Sequence, residues 1–182
     1  MRFRMIPIVL LVAALCLASV PSVAQEQAAK APLPNLVVVS PKLATAGQPT
    51  REYLEQLGAQ GYEAVVYLAP PSVPDAVPDE GAVVGRQGLA YINIPIRFGN
   101  PTEQDFELFA ATLDALKRKK VLVHCQVNMR ASSMVFLYRV LALKEDPERA
   151  YQDVAKVWSP NGEWKQFIAS MLRKNKVAFE PY

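Results

Sequence analysis

One cysteine and one arginine in the middle of the chain have the spacing and the neighbours that nucleophilic chemistry requires. The apolar run Val121–Val123 leads directly into His124 and Cys125, and after four more residues comes Arg130, where a helical pattern of apolar residues begins. This order predicts a strand, a tight loop and a helix. The N–H groups of the loop and the positive end of the helix dipole then converge on one point, where they would stabilise a thiolate and raise its reactivity at neutral pH.

Arg130 follows at a distance that lets its planar guanidinium hold two oxygens of an anion beside the Cys125 sulfur. The backbone of the intervening loop is expected to bind the same anion, and its residues are Gln126, Val127, Asn128 and Met129. The loop has no glycine, and Asn128 is the member best able to adopt a positive φ. The alternative is a cysteine that acts as a small hydrophobic residue at a strand end, next to a surface arginine.

The composition suits one globular domain behind an export signal. The chain has 182 residues, of which 51% are hydrophobic, enough for a substantial core. Arg2 and Arg4 precede the apolar run from Ile6 to Val20, and residues 22–24 (Ser-Val-Ala) supply the small side chains of a cleavage site. We therefore expect residues 1–24 to be a signal peptide and the mature protein to be periplasmic or secreted. A retained membrane anchor is less well supported, because the apolar run is short for a spanning helix.

Charge and cysteine content exclude several classes of partner. The chain carries 20 Lys and Arg against 17 Asp and Glu, a net charge of +3, and cleavage of the signal removes Arg2 and Arg4. The nearly neutral remainder predicts neither a nucleic-acid partner nor, after cleavage, a membrane partner. Loss of Cys16 leaves Cys125 without a disulfide partner, and one histidine with one cysteine is too few for a soft-ligand metal site. The sequence carries no signal for an oligomeric state.

Strand and helix patterns alternate along the chain, which predicts a single α/β domain with a mostly parallel central sheet flanked by helices over residues 36–182. Residues 25–35 are expected to be a flexible leader. The predicted strands are Leu36–Val39, Ala64–Leu68, Ala90–Ile96 and the run before Cys125. Besides the helix after Cys125, helices are predicted near 53–57 and 80–87, from Thr102, and at 147–157 and 164–172. A proline-rich loop is predicted over 69–78. In such sheets the functional site lies beyond the carboxyl ends of the strands, where Cys125 is placed.

The strand ending in His-Cys, the short loop, the arginine and the helix resemble the anion cradle of the cysteine-dependent phosphatase superfamily. Upstream segments strengthen the likeness: Ala-Gly-Gln-Pro-Thr at 46–50, Gly-Tyr-Glu-Ala-Val-Val-Tyr-Leu at 61–68, Gly-Leu-Ala-Tyr-Ile-Asn-Ile-Pro at 88–95, and the helix that opens with Pro101 and Thr102. Together, residues 36–143 resemble the bacterial β-lactamase-hydrolase-like group, a dual-specificity-phosphatase-like family.

This resemblance implies a reaction as well as a fold. Cys125 would be the nucleophile and Arg130 the phosphate clamp, with a cysteinyl-phosphate intermediate that water hydrolyses. The N–H groups of residues 126–130 would bind the oxygens of the transition state. No metal or organic cofactor is implied, and the substrate would be a phosphorylated protein (phosphotyrosine or phosphoserine) or a small phosphoester.

The resemblance also sets an expectation for the remaining site residues. The loop that should carry the general acid, residues 97–100, has no carboxylate. Asp105, in the first turn of the next helix, is the predicted acid, and Arg97 is a predicted second contact to the anion. Further candidates for the acid are Glu103 and, on or next to the proline-rich loop, Asp75, Asp79 and Glu80. His124 is expected to orient the thiolate or to hydrogen-bond the backbone.

Two alternative functions stay open. Four residues between cysteine and arginine is the loop length of rhodaneses, which favours a sulfurtransferase that carries a persulfide on Cys125. The missing acid favours a non-catalytic domain that binds an anionic ligand without turning it over. Ala131 also favours a non-catalytic domain, because in the phosphatases a serine or threonine usually follows the arginine and helps the thiolate to leave.

Overall fold

The fold is built on a mixed five-stranded sheet in the computed structural model, which describes residues 33–182. The strands are β1 (Val37–Ser40), β2 (Leu43–Ala46), β3 (Ala64–Tyr67), β4 (Ala90–Asn93) and β5 (Val121–His124). Their order across the sheet is β1-β2-β5-β3-β4; β1 and β2 pair antiparallel, and the other neighbours are parallel. The predicted α/β class with a mostly parallel sheet is confirmed, whereas the predicted signal peptide lies outside the described residues.

Six helices complete the described part of the chain: α1 (Arg51–Leu54), α2 (Glu80–Gly85), α3 (Glu103–Ala115), α4 (Met129–Leu141), α5 (Pro147–Ala155) and α6 (Gly162–Lys174). Side-chain caps define three of their starts, because Thr50, Thr102 and Asp146 each accept a backbone N–H of the first turn. Within residues 33–182, no helix combines the length and the apolar character that crossing a membrane requires.

Alternating residues of the central strands face two separate apolar cores. Val66 and Val123 point into the larger core, which α3 to α6 cover, whereas Val65 and Leu122 point into a smaller core beneath α1 and α2. The sheet is thus covered on both faces, which explains why its inner strands read as continuous apolar runs. Both faces of β5 are buried, so packing at the centre of the fold fixes the position of the residues at its carboxyl end.

The structure departs from the prediction at β2, at the end of β4 and at the start of the packed chain. The sequence does not predict β2, because Leu-Ala-Thr-Ala contains a single β-branched residue. The fourth strand stops at Asn93, before Pro95, which has no N–H to donate. The packed chain also begins earlier than residue 36, since Leu33 is buried in the smaller core and Pro34 O accepts the N–H of Gly47 at 2.6 Å.

Candidate active site

Cys125 directly follows the central strand of the sheet. β5 is hydrogen-bonded to β2 on one side and to β3 on the other, with His124 in register with Ala46 and Tyr67. The Cys125 N–H donates to Ala46 O at 3.3 Å, its side chain is fully buried, and α4 begins four residues later at Met129. The predicted strand, loop and helix around the cysteine are confirmed.

Asn128 gives the loop its turn. Its φ of 71° lies in the left-handed region, as its side chain suggested. The side-chain Nδ2 donates to Asn35 O at 2.6 Å and to Thr45 Oγ1 at 3.0 Å, and Asn128 makes no side-chain cap on α4. The N–H groups of the first turn of α4 therefore keep their positive potential free of a capping oxygen, which is the condition for anion binding.

Two residues from the early part of the described chain, Asn35 and Gln48, hydrogen-bond to the back of the loop of residues 126–130. Gln126 O accepts the Gln48 N–H at 2.9 Å, and Val127 O accepts Asn35 Nδ2 at 3.0 Å. In a planar trans peptide, the N–H of Val127 then points away from Gln48. Gly47 permits this approach, because a Cβ there would lie 2.9 Å from the carbonyl oxygen of Gln126.

Arg130 is a buried charge with a neutral partner. Its side chain is 4% exposed, and one terminal N–H donates to Gln126 Oε1 at 3.2 Å, while Nε has no hydrogen-bond partner. Within the described residues no carboxylate lies within ion-pair distance of it. Arg139, two turns further along α4, is also buried but is paired with Glu145 at 2.8 Å and Asp153 at 2.7 Å. Buried charges are normally compensated in this way, so the guanidinium of Arg130 is suited to receive an anion.

The rim around Arg130 is partly aromatic and partly acidic. The Phe98 ring lies 5.3 Å from the guanidinium carbon, and Phe98 in turn contacts the rings of Trp158 and Trp164. On the acidic side, Gln126 Nε2 donates to Asp75 Oδ1 at 2.7 Å. Phe98 is 40% exposed, so the rim next to Arg130 presents apolar surface to solvent.

His124 belongs to a buried polar network on β5. Its Nε2 lies 2.7 Å from Glu80 Oε1, the other oxygen of Glu80 accepts Gln48 Nε2 at 2.8 Å, and the imidazole stacks on the Tyr67 ring at 4.7 Å. Burial raises the pKa of Tyr67, and the negative charges of Glu80 and Asp75 raise it further. The network holds the imidazole in one orientation, and the role of His124 in orienting the thiolate stays a prediction.

Unpartnered buried polar atoms concentrate in this part of the molecule. In the described chain they are Gln48 Oε1, His124 Nδ1, Asn128 Oδ1, Arg130 Nε, Ser133 Oγ and Trp158 Nε1. Native interiors satisfy nearly all such atoms, and the exceptions call for an explanation. Gln48, Asn128 and Arg130 contact or belong to the loop of residues 126–130, and Ser133 lies in the first turns of the helix that follows it. This clustering marks the loop as a site for polar ligand atoms.

Two predicted site residues lie apart from this cluster. Arg97 is exposed and, together with Asp105, lines a cavity of about 200 Å³ whose other walls are Pro95, Asn100 and Thr102. Asp105 completes the cap of α3, where Oδ2 accepts the N–H and the hydroxyl of Thr102 at 2.9 and 2.7 Å. The structure thus shows a capping role for Asp105, and its assignment as the acid and that of Arg97 as an anion contact stay predictions.

Sequence reasoning missed the partners that distant segments bring to the loop. Asn35 falls in the predicted leader. Gln48 falls in the segment at 46–50, which carries the family resemblance but no predicted role in the site. Asp75 and Glu80 were among several carboxylates on or near the proline-rich loop, with no pattern to rank them. Among residues 33–182, no group of three or more His, Cys, Asp or Glu side chains is placed to hold a metal ion.

Comparison with known proteins supports the relationship that the sequence suggested. Residues 22–170 match the model of the PTP-NADK family, described as a DSP-PTPase phosphatase fused to NAD+ kinase. Over 110 residues the chain is 30% identical to the β-lactamase hydrolase-like protein of Xylella fastidiosa strain Temecula1, covering 59% of this chain and 25% of that protein. The chain therefore spans about a quarter of the length of the curated relatives it matches.

Solved structures show the same fold. A DUF442 protein from Shewanella putrefaciens CN-32, with a proposed phosphatase function, is 30% identical and superposes with a TM-score of 0.73 over 82% of this chain and 97% of its own. TpbA of P. aeruginosa is 19% identical and superposes with a TM-score of 0.59 over 78% of this chain and 84% of its own. The second likeness is one of fold alone.

The left-handed conformation of Asn128 can be tested with a pair of substitutions. Asn128→Ala and Asn128→Gly both remove the bonds to Asn35 and Thr45, but only glycine adopts a positive φ without steric cost. We expect the alanine variant to have the lower free energy of unfolding, by roughly 1 kcal/mol, in urea denaturation. Equal stability of the two variants would contradict the assigned backbone conformation.

The His124–Glu80 contact should matter for stability. Glu80→Leu leaves the imidazole N–H and the Gln48 amide without their acceptor, and we expect the free energy of unfolding to fall by about 3–5 kcal/mol. Glu80→Gln keeps an oxygen for one of these donors and should cost about 1–2 kcal/mol. Urea denaturation of both variants measures the difference, and a smaller loss for leucine than for glutamine would refute the network.

Proposed function

Because the chain belongs to the PTP-NADK family of DSP-PTPase phosphatase domains, we propose that it hydrolyses a phosphoester with Cys125 as nucleophile and Arg130 as phosphate clamp. By family and fold it is a cysteine-based phosphatase, a phosphoric-monoester hydrolase. The observation that supports the assignment of residues is the buried guanidinium of Arg130, which has a neutral amide as its partner and belongs to the same strand, loop and helix as the fully buried Cys125. A phosphoryl group would supply the missing negative charge.

The proposed reaction has two steps at phosphorus. The Cys125 thiolate forms an S–P bond while the bond from phosphorus to the leaving oxygen breaks, and water then hydrolyses the cysteinyl-phosphate. Arg130 holds two of the phosphoryl oxygens in a bidentate contact. The N–H groups of the loop and of the first turn of α4 bind the developing charge, which they do without reorganising. Neither step uses a metal or an organic cofactor.

The substrate class follows from the mouth of the cradle. Its exposed apolar edge, formed by Phe98 next to Arg130, suits a phosphoester with an aromatic or other apolar leaving group, such as phosphotyrosine in a protein or a small aryl phosphate. TpbA of P. aeruginosa has the same fold and was crystallised in complex with phosphotyrosine, at 18% identity. Export to the periplasm or the medium, expected from residues 1–24, completes the proposal.

The second candidate function is a rhodanese-type sulfurtransferase. The specific observation in its favour is the loop of four residues between Cys125 and Arg130, which makes a narrower cradle than one of five. A single persulfide sulfur needs less room than three phosphoryl oxygens. Against this reading stands the family of the chain, so we rank the phosphatase first.

The nucleophile is tested by substitution. The purified protein should hydrolyse p-nitrophenyl phosphate, and Cys125→Ser should reduce kcat by a factor on the order of 10³ or more, because the hydroxyl is a far weaker nucleophile than the thiolate. Steady-state absorbance at the nitrophenolate band measures the rate, and circular dichroism confirms that the variant is folded. Equal rates for the two proteins would refute the assignment.

Phosphatase and sulfurtransferase make opposite predictions for the thiol. Phosphate or vanadate should protect Cys125 from alkylation by iodoacetamide, since an oxyanion in the cradle covers the sulfur, whereas thiosulfate should leave no stable adduct. Intact-mass spectrometry measures both. A lasting added sulfur on Cys125 that transfers to cyanide, without protection by oxyanions, would reverse our ranking.

A further inference from the structure

The proline-rich loop brings a carboxylate to the cradle. Asp75 Oδ1 accepts from Gln126 Nε2 at 2.7 Å, and Oε1 of the same amide accepts from Arg130 at 3.2 Å. Gln126 is the residue directly after the nucleophile. A carboxylate thus stands at the mouth of the cradle, one amide away from the phosphate clamp.

The loop that carries Asp75 is held in place. Its prolines restrict the backbone, since each fixes its own φ. The contacts that anchor it are Asn93 Nδ2 to Ala69 O, Val73 N to Pro70 O, Ala76 N to Val73 O and Arg51 to Pro78 O, at 2.6 to 3.2 Å. Asp75 itself is exposed, so its carboxyl group can exchange protons with solvent while the loop keeps its position.

The other carboxylates of this region have different partners. Asp105 caps α3 through Thr102, Glu103 pairs with Lys174, and Glu80 is bound to His124 and Gln48. Of these four acids, Asp75 is the one that hydrogen-bonds to a residue of the loop of residues 126–130. Hydrogen-bond reach to the reacting groups is the first requirement of a general acid.

We propose that Asp75 is the general acid and base of the reaction, an inference that rests on the proposed phosphatase function. In the first step, the electron pair of the Cys125 thiolate forms the S–P bond, the P–O bond to the leaving group breaks, and the leaving oxygen takes the proton of the Asp75 carboxyl group. In the second, a water oxygen bonds to phosphorus, the S–P pair returns to sulfur, and the Asp75 carboxylate takes a proton from that water. The products are the free alcohol or phenol and phosphate.

Gln126 is the positioning residue in this scheme. Its amide holds the Asp75 carboxylate through Nε2 and the Arg130 guanidinium through Oε1. When phosphoryl oxygens take over the donors of Arg130, the amide keeps its contact with Asp75. The acid is then held beside the leaving oxygen.

The test compares two aryl phosphates in the full-length protein. Asp75→Asn keeps an oxygen that can accept from Gln126, so it removes the transferable proton and preserves the contact. We expect kcat for phenyl phosphate, which has a poor leaving group, to fall by a factor on the order of 10², and kcat for p-nitrophenyl phosphate to fall less than about tenfold. The decline of kcat/KM on the alkaline side, which reports loss of the acid's proton, should flatten.

Matched substitutions separate the outcomes. Asp114→Asn makes the same change in an exposed ion pair with Lys117 and should leave both rates unchanged. Equal slowing of both substrates by Asp75→Asn, or a selective loss in Asp105→Asn instead, would overturn the role of Asp75 and leave the phosphatase function intact. Absence of turnover of either ester by the wild-type protein would overturn both.

Discussion

The guanidinium of Arg130 is the constraint around which the site is arranged. A charge removed from water costs several kcal/mol unless an opposite charge compensates it. Arg139, on the same helix, has two carboxylates for this purpose, whereas Arg130 has the neutral amide of Gln126. On the proposed function, the compensating charge is that of the substrate. The same feature that weakens the resting protein would then strengthen the complex, because phosphate binding relieves an electrostatic cost that the fold has already incurred.

The rest of the site keeps this charge and the thiol of Cys125 in a fixed relation. β5 holds Cys125 between two parallel neighbours, and α4 holds Arg130 by packing almost wholly within the core. The loop between them is bound from behind by residues of the N-terminal segment, Asn35 and Gln48. The loop accepts these hydrogen bonds through its own backbone carbonyl oxygens, so its N–H groups remain available for a ligand. Preorganised donors of this kind need no rearrangement when charge develops, which is the condition for electrostatic catalysis.

The sequence predicts those parts of the site that depend on neighbouring residues. The strand, loop and helix around Cys125, the positive φ of Asn128 and the start of a helix at Thr102 all follow from local pattern and steric preference. Contacts between distant segments do not, because no local pattern records them: Asp75 with Gln126, and Glu80 with His124, arise from the path of the proline-rich loop. Asp105 illustrates the limit, since a carboxylate in the first turn of a helix has the same sequence signature as a cap and as an acid.

The contacts that Asn128 makes with distant residues also bear on the order in which the protein folds. Asn128 is bound to Asn35 and Thr45, which are 93 and 83 positions away along the chain. Contacts of such long range carry an entropic cost, because a long loop must close before they contribute any free energy. A growing or partly folded chain can therefore contain strand, cysteine and helix and still lack a finished anion site. On the proposed function, the thiol would gain its complete anion site only when Asn35 and Thr45 reach Asn128, so reactivity of Cys125 would report that these distant segments have docked.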